Sequence, residues 1–388
     1  MKAAVVGNAF RTNPETGAGR EEFPVTEKYV YFDHAGVGPL TRCALSAMTG
    51  SLRSQAHNGS LDHPRLHEIA EEARAQFAGL IGAESRQIGY VPSTSAGISL
   101  IARGLRLRPG DEVVAPAVDF PSAVLPWLLL EKEGVTVRRV DAERGQLTSQ
   151  TLIDAISPRT RVISTSWIQF SSGARLDLQH LGEACRKKDV LLVVDGMQGV
   201  GAARIDVSAL PIDALVTQSY KWLLGPQGIG WLYMSDRLSA MTELTGAGVR
   251  TGPPRESYCD HRLEPRADVG RFETGILDFH AIVGAMTSQR LLLDIGIEKI
   301  ESRLIELGDR LRHGLAGAAC QVLGGGASTG LRSSIVSFRH PRKNAQEVCD
   351  ALLRANVVTS VRENHVRVSP HFYNTDQEVD QFLRLLAG

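Results

Sequence analysis

Apolar positions along this chain follow two periods, and the switch between them divides it. Leu66, Ile69, Ala70, Ala73 and Phe77 recur three and four residues apart, the spacing of one helix face, inside a helical span predicted from about 41 to 80. Beyond it, short apolar runs alternate with helical stretches. Strands are predicted at 87–91, 111–115, 135–137, 161–165 and 190–194, with helices through Ile98 and Leu105, over 127–133 and over 178–188. Val190 to Val194 is apolar at every position, as a strand covered on both faces of a parallel sheet should be. The alternation predicts an α/β fold built on a large, doubly wound, mainly parallel sheet. It breaks near 246–270, where Gly, Pro and Arg are dense. Residues 282–315 then read as a long helical connection into a smaller α+β domain ending at Gly388. A short strand at 29–32 runs into the turn Asp33-His34-Ala35-Gly36. The predicted division is an N-terminal arm at 1–22, a large domain at 41–280, and a small domain formed by 23–40 with 281–388.

Composition narrows the partners. The 388 residues carry 43 Lys plus Arg against 43 Asp plus Glu, and a net charge of zero offers no electrostatic footprint for nucleic acid or an anionic membrane. The longest apolar stretches, such as Val124 to Leu130, fall far short of the roughly 18 residues a membrane span needs. Met1 to Arg20 holds no sustained apolar segment, which predicts a cytoplasmic protein. The five cysteines, Cys43, Cys185, Cys259, Cys320 and Cys349, never approach CxxC spacing, so they read as reduced thiols rather than a zinc site. One imbalance matters for chemistry. Only eight of the basic residues are lysine, so a reaction that needs one has few candidates.

In open α/β sheets, ligands bind beyond the carboxyl ends of the strands. Asp195 stands there after Val190 to Val194, with Gln198 three residues on; a carboxylate in that place either caps the next helix or meets a ligand. Lys221 lies in Gln218-Ser219-Tyr220-Lys221-Trp222-Leu223-Leu224-Gly225, after the apolar Ala214-Leu215-Val216. Among the lysines it alone sits between apolar and small residues, where desolvation lowers an amine's pKa and readies it for Schiff-base chemistry. The alternative is a structural lysine with its head in water. An Asp at a strand end and a lysine 26 residues later suit pyridoxal 5'-phosphate (PLP), the lysine holding the cofactor and the Asp keeping its pyridine nitrogen protonated. Ser93-Thr94-Ser95-Ala96-Gly97 opens a helix straight after a strand, and would seat a phosphate or serve as an ordinary N-cap. Phe120, in Val118-Asp119-Phe120-Pro121-Ser122 at the same sheet edge, could stack on a pyridine ring or fill a core.

These ordered motifs resemble the class V aminotransferase family of fold type I PLP-dependent enzymes, which includes cysteine desulfurases, selenocysteine lyases and isopenicillin N epimerase-like proteins. The resemblance runs from about Tyr29 to the C-terminus. It is strongest over 162–230 and in Arg367-Val368-Ser369-Pro370-His371-Phe372-Tyr373-Asn374-Thr375. It implies that Lys221 is the Schiff-base lysine, that Asp195 partners the pyridine nitrogen, and that Gln198 contacts the ring's phenolic oxygen. Thr94, Ser95 and Ala96 match the phosphate turn, and Phe120 takes the ring-stacking position, often histidine in relatives. Gln169 falls near the cofactor ring, and Gln218 and Tyr220 border the lysine. Arg367 matches the arginine that grips the substrate α-carboxylate, and His34 lies in a loop on the substrate side. A homodimer is implied, with Glu273 to His280 reaching the neighbouring site.

Departures from the family pattern bear on the reaction. Desulfurases carry a nucleophilic cysteine on a loop upstream of the carboxylate arginine. Here Arg362-Glu363-Asn364-His365-Val366 leads straight into Arg367, and the nearest upstream cysteine is Cys349. Tyr220 replaces a usual histidine, and Gln218 stands where an acidic or hydroxyl residue is common. Ile276 and Asp278 interrupt a Gly-Thr-Pro-Asn pattern. The resemblance implies a PLP-dependent enzyme acting on an α-amino acid through a carbanion at its α-carbon. C–S cleavage of a cysteine S-conjugate by β-elimination is the first reading. Epimerisation, transamination, or decarboxylation-coupled conversion to an aldehyde in specialised metabolism are alternatives at the same carbon. A non-catalytic PLP-binding protein fits poorly with both lysine and arginine present. A Rossmann nucleotide enzyme fits worse, because GxGxxG after a first strand and GxxxxGK[ST] are both absent.

Overall fold

The computed structural model describes residues 19–142, 147–254, 257, 259–324 and 331–387. Most of the expected N-terminal arm, residues 1–18, lies outside them. Gly19 to Glu22 lie within and are tied down, because Arg20 donates to the Tyr373 carbonyl (3.2 Å) and pairs with Glu378 (2.8 Å).

A strand β1 (Val30–Tyr31) precedes two helices, α1 (Arg42–Asn58) and α2 (His63–Ile81). The apolar period predicts a single helical span there; Gly59, at φ 57°, ends α1 and splits it. Strand and helix then alternate through β2 (Ile88–Val91), α3 (Thr94–Gly104), β3 (Glu112–Pro116), α4 (Pro121–Leu128), β4 (Thr136–Val140), α5 (Ser149–Asp154), β5 (Thr160–Ser166) and α6 (Leu178–Lys187). Next come β6 (Leu191–Asp195), β7 (Ala214–Gln218), β8 (Gly230–Met234) and α7 (Asp236–Met241). The helix expected over 127–133 starts earlier, with Pro121 at its first turn, where a missing N–H is harmless.

Seven strands form one sheet in the order β2-β8-β7-β6-β5-β3-β4. From β7 to β4 every pairing is parallel, while β8 runs antiparallel to both β7 and β2. The apolar alternation did not mark β8; it pairs antiparallel with β7 after the loop 219–229, so no crossover helix signals it. Helices cover both faces. Ile98, Ile101, Trp127 and Val193 pack on one side, and Phe77, Leu181, Leu192 and Trp231 on the other.

The connection to the second lobe is two helices, α8 (Phe279–Ile295) and α9 (Ile297–Gly317), parted at Gly296 with φ 95°. Ile282, Ala285 and Leu292 of α8 join the core of the large sheet, as do Ile300 and Leu304 of α9. One turn later Leu307, Leu311 and Leu315 join a separate core with Phe338, Val366 and Phe382. The change of core therefore falls inside α9 rather than at the expected 281. The small lobe adds β9 (Gln321–Val322), β10 (Val336–Arg339), α10 (Ala345–Arg354), β11 (Val357–Val358), β12 (Ser360–Arg362), β13 (His365–Val368) and α11 (Asp376–Ala387). Its antiparallel sheet runs β12-β13-β10-β9, and β1 crosses to pair with β11. That crossing carries Asp33 and the loop behind it to the seam between the lobes.

One buried ion cluster locks the β2 edge of the large sheet. The Glu273 carboxylate, 1% exposed, accepts from Arg74 (2.7 Å), Arg250 (3.0 Å) and the Tyr90 amide (3.0 Å). Breaking a buried pair leaves an uncompensated charge, so Glu273→Gln should destabilise the protein by about 3–5 kcal/mol. Chemical denaturation of the two proteins measures it, and an unchanged midpoint would show that Arg74 finds water instead.

Candidate functional site

The parallel strands β3, β5, β6 and β7 present their carboxyl ends on one side, and the residues expected to do chemistry converge there. Asp195 closes β6, in register with Ser166 of β5 and Val216 of β7. It is buried, and its carboxylate accepts from the Ser122 hydroxyl (2.7 Å) and the Met197 amide (2.9 Å). Burial raises its pKa to about 6, against those hydrogen bonds. Beside it lies a second buried carboxylate, Asp119, bonded by the Ser166 amide (2.7 Å) and hydroxyl. Burial raises its pKa too.

Lys221 sits in the turn after β7 and is 7% exposed. Its backbone is gripped from two sides. Gly38 N–H donates to the Tyr220 carbonyl (2.7 Å), and a Cβ at Gly38 would run into the Lys221 carbonyl oxygen. Gly201 makes the same close approach to the Trp222 carbonyl. Leu224, at φ 55°, closes the turn with its amide on the Lys221 carbonyl (3.1 Å). The amine itself has no ion pair among the described residues. It lies 5.5 Å from the centre of the Phe120 ring and 5.9 Å from that of Tyr220. Burial brings its pKa down to about 8, with Asp195 opposing and Arg367 assisting. Such an amine is largely free of its proton in mild alkali, as a nucleophile or base requires.

Three observations fit the expected PLP. Thr94, at the start of α3, is buried with its hydroxyl unpartnered, while Ser93 caps the helix by accepting from the Ala96 amide (3.0 Å). Gln169 is 1% exposed; its carboxamide oxygen has no partner, and its nitrogen only approaches the Asp119 carboxylate. Both are polar groups that burial penalises unless a ligand meets them. Phe120 is 43% exposed beside Lys221, with Phe170 edge-on at 5.3 Å. Ser95 is exposed and Ala96 half-buried at the same helix start. Gln218 ties this start to the lysine strand, donating to the Pro92 carbonyl at 2.5 Å.

Two expected residues have buried partners of their own. Gln198 is engaged at both ends of its carboxamide, donating to the Ala35 carbonyl (3.0 Å) and accepting from Trp222 Nε1 (2.8 Å). It thus braces the lysine turn from beneath. His34 does not line the substrate side. Its ring is fully buried, with Nδ1–H donating to the Ser369 carbonyl (2.9 Å) and Nε2 accepting from Tyr373 O–H (2.7 Å). Burial holds its pKa well below 6.5, so it serves as a neutral structural link between loops. The residue before it reaches the site instead: Asp33 pairs with Arg367 (3.0 Å).

Arg367, on β13, is buried, donates to the Phe170 carbonyl (3.0 Å), and leaves its Nε–H without a partner. Ser360 Oγ donates to the same Asp33 oxygen (2.7 Å). The strands β12 and β13 are joined by Glu363 and Asn364, both at positive φ, the two-residue hairpin turn of minimal length. No cysteine-bearing loop exists there. Cys349 is buried, its sulfur accepting from the Thr359 hydroxyl (3.3 Å). Of the segment expected to reach a neighbour, Glu273 is bound inside its own chain and Asp278 caps α8 through the Ala281 amide (3.0 Å). Thr274, Gly275 and Ile276 between them are exposed, Ile276 by 66%. Ser122, Asp119, Asp33 and Trp222 were not anticipated as site residues. Asp119 and Ser122 flank Phe120 at the end of a predicted strand, which was the available signal.

Known proteins match over the same span. The family model of the class V aminotransferases matches residues 30–382. A probable cysteine desulfurase of Methanothermobacter thermautotrophicus is 29% identical over a 400-residue alignment covering 95% of this chain and 97% of that protein. An isopenicillin N epimerase of Streptomyces clavuligerus is 26% identical over 363 residues, covering 89% of this chain and 90% of that one. The solved complex between the cystine C–S lyase C-DES and its reaction product cysteine persulfide aligns with a TM-score of 0.86 at 21% identity, over 94% of this chain and 99% of that one. That last likeness is one of fold.

Proposed function

The chain belongs to the class V aminotransferase family, and on that premise we propose that it is a PLP-dependent enzyme that cleaves the C–S bond of a cysteine S-conjugate by β-elimination. The carrying observation is the Lys221 amine, buried beside Asp195 and Phe120, opposite an arginine reached by a two-residue turn that holds no cysteine. A persulfide-forming desulfurase needs a mobile thiol, and Cys349 is buried and hydrogen-bonded. β-Elimination needs none.

Lys221 would hold PLP and Asp195 would face its ring nitrogen, and the bound cofactor would supply electron withdrawal from the substrate's α-carbon. The chain's own residues do the rest. Thr94, with its unpartnered hydroxyl, and the backbone amides at the start of α3 would hold the phosphate. Arg367 takes the α-carboxylate with the N–H donors that Asp33 and Phe170 leave over, and so orients the α-proton. Lys221 Nζ takes that proton and delivers one to the departing sulfur, and a pKa near 8 suits both tasks. Conjugate and water give pyruvate, ammonia and a thiol. The proposed assembly is a homodimer in the cytoplasm, with Thr274 to Ile276 against the neighbouring subunit. The exposure of that stretch and five cysteines outside any disulfide support it.

Incubation of the yellow, cofactor-loaded protein with S-substituted cysteines should release thiol and pyruvate in equal amounts. Exchange of the α-proton without thiol release would move the reading to epimerisation. Arg367→Met should raise KM by roughly 10- to 100-fold with kcat little changed, the scale of one charge-assisted carboxylate contact. Unaltered KM would remove Arg367 from the substrate site.

A further inference from the structure

We infer that Ser122 is a positioning residue for the cofactor: its hydroxyl fixes the Asp195 carboxylate relative to Phe120, so that a pyridine ring stacked on the aromatic would meet the carboxylate at its nitrogen. This rests on PLP occupying the site and is independent of which reaction follows. Ser122 is the second residue of α4, 5% exposed, and follows Phe120 by two. Its segment is pinned to β5 on both sides. Asp119 accepts from the Ser166 amide (2.7 Å), and the Ala123 carbonyl accepts from Ser164 Oγ (2.8 Å). Held between those anchors, Ser122 donates to Asp195 Oδ2 (2.7 Å) at the end of β6.

The other donor, the Met197 amide, reaches Oδ1 (2.9 Å) from two residues along the same turn. It orders the carboxylate within its own loop and carries no information about Phe120. The Ser122 bond ties the strand end to the segment that bears the aromatic ring, so one hydrogen bond sets the distance between the two ring contacts. Each carboxylate oxygen then accepts once and keeps a lone pair for a further N–H donor. The surrounding charges show what the hydroxyl works against. Burial disfavours the ionised carboxylate, and so does the neighbouring Asp119. The Ser122 hydroxyl favours it most, followed by the Met197 amide and the charge of Lys221; the Tyr220 phenol feels the same carboxylate.

Ser122→Ala deletes the donor at the loss of one oxygen. Titration of the cofactor-free protein with PLP, followed by absorbance, should give a Kd raised roughly tenfold or more, the scale of one hydrogen bond to a charged group. A second readout needs no cofactor. The parent's stability should fall as pH rises between the ordinary 3.8 of Asp195 and its folded value of about 6, then level off. Losing the donor raises the folded value, so the variant should go on falling for about one pH unit more. Lys221 titrates in both proteins and cancels in the difference. The gap between their denaturation midpoints should therefore be constant below pH 6 and widen above it, and in an Asp195→Asn background the widening should vanish. A gap that stays constant from pH 5 to pH 8, a widening that survives Asp195→Asn, or equal PLP affinity in parent and variant would overturn the assignment. Thiol release from S-substituted cysteines separates the two readings. Weakened PLP binding in the variant, with no thiol released by the loaded parent, sinks the lyase reading and keeps Ser122; thiol release with equal PLP affinities does the reverse.

Discussion

Replacing Lys221 with methionine should cut turnover by at least roughly 10²- to 10⁴-fold, the range of a positioned acid–base group. Borohydride should no longer fix the cofactor to the chain. The same change should stabilise the cofactor-free protein. In the folded chain the amine's pKa is about 8, against an ordinary 10.5, because burial disfavours the charged form. Below pH 8 the folded state carries a buried charge that the unfolded chain keeps in water, at a cost on the order of 3 kcal/mol. Between pH 8 and 10.5 the unfolded chain still binds the proton and the folded one does not, so the parent gains stability as pH rises. Above 10.5 both are neutral and the cost is gone. Methionine fills the space with no titrating group. Its advantage should therefore be greatest below pH 8 and fade towards 10.5. Denaturation of both proteins at pH 7 and pH 10 measures this, and a pH-independent difference would mean that the amine is solvated. Function and stability pull apart at this residue because a lysine made nucleophilic is a lysine held in an unfavourable place.

The sheet was legible because parallel strands buried on both faces leave continuous apolar runs, and Val190 to Val194 is one. Asp195 and Lys221 drew attention for a related reason, since one ends such a strand and the other stands in the turn after one. What the sequence concealed depends on contacts between distant segments. Ser122 reaches Asp195 across 73 residues and Arg367 reaches Asp33 across 334, and no local pattern encodes either. His34 and Gln198 show a second limit. A motif marks a position, but which way a polar side chain turns depends on the partners burial offers it, here Tyr373 and Ser369 for one and Trp222 and Ala35 for the other. The allegiance of α8 was hidden likewise, because an amphipathic helix does not say which of two cores it will join.

Asp195→Asn should lower turnover by roughly 10²- to 10³-fold, the scale of removing one preorganised charge partner, and should weaken cofactor binding as well. Its effect on the cofactor-free protein runs the other way. The buried carboxyl has a pKa of about 6, against an ordinary 3.8. Between these values the folded chain holds a proton that the unfolded chain releases, so stability falls as pH rises from about 4 to 6. At neutral pH the ionised carboxylate costs on the order of 3 kcal/mol, unless a cation faces it. A protonated ring nitrogen is such a cation, and its charge draws the carboxyl's pKa back down. Asparagine can keep its oxygen on the Met197 amide and turn its nitrogen towards Ser122, so shape is preserved while charge is lost. The variant should therefore be the more stable protein without cofactor at pH 7 to 8, and should lose that lead at pH 4. With cofactor added, the parent should gain more stability than the variant. Two assays check this, cofactor titration and thermal melting across that pH range. Parent-like turnover in the variant would make Asp195 a turn cap for Met197, and would move the role of ring partner to Asp119, the other buried carboxylate at this strand edge.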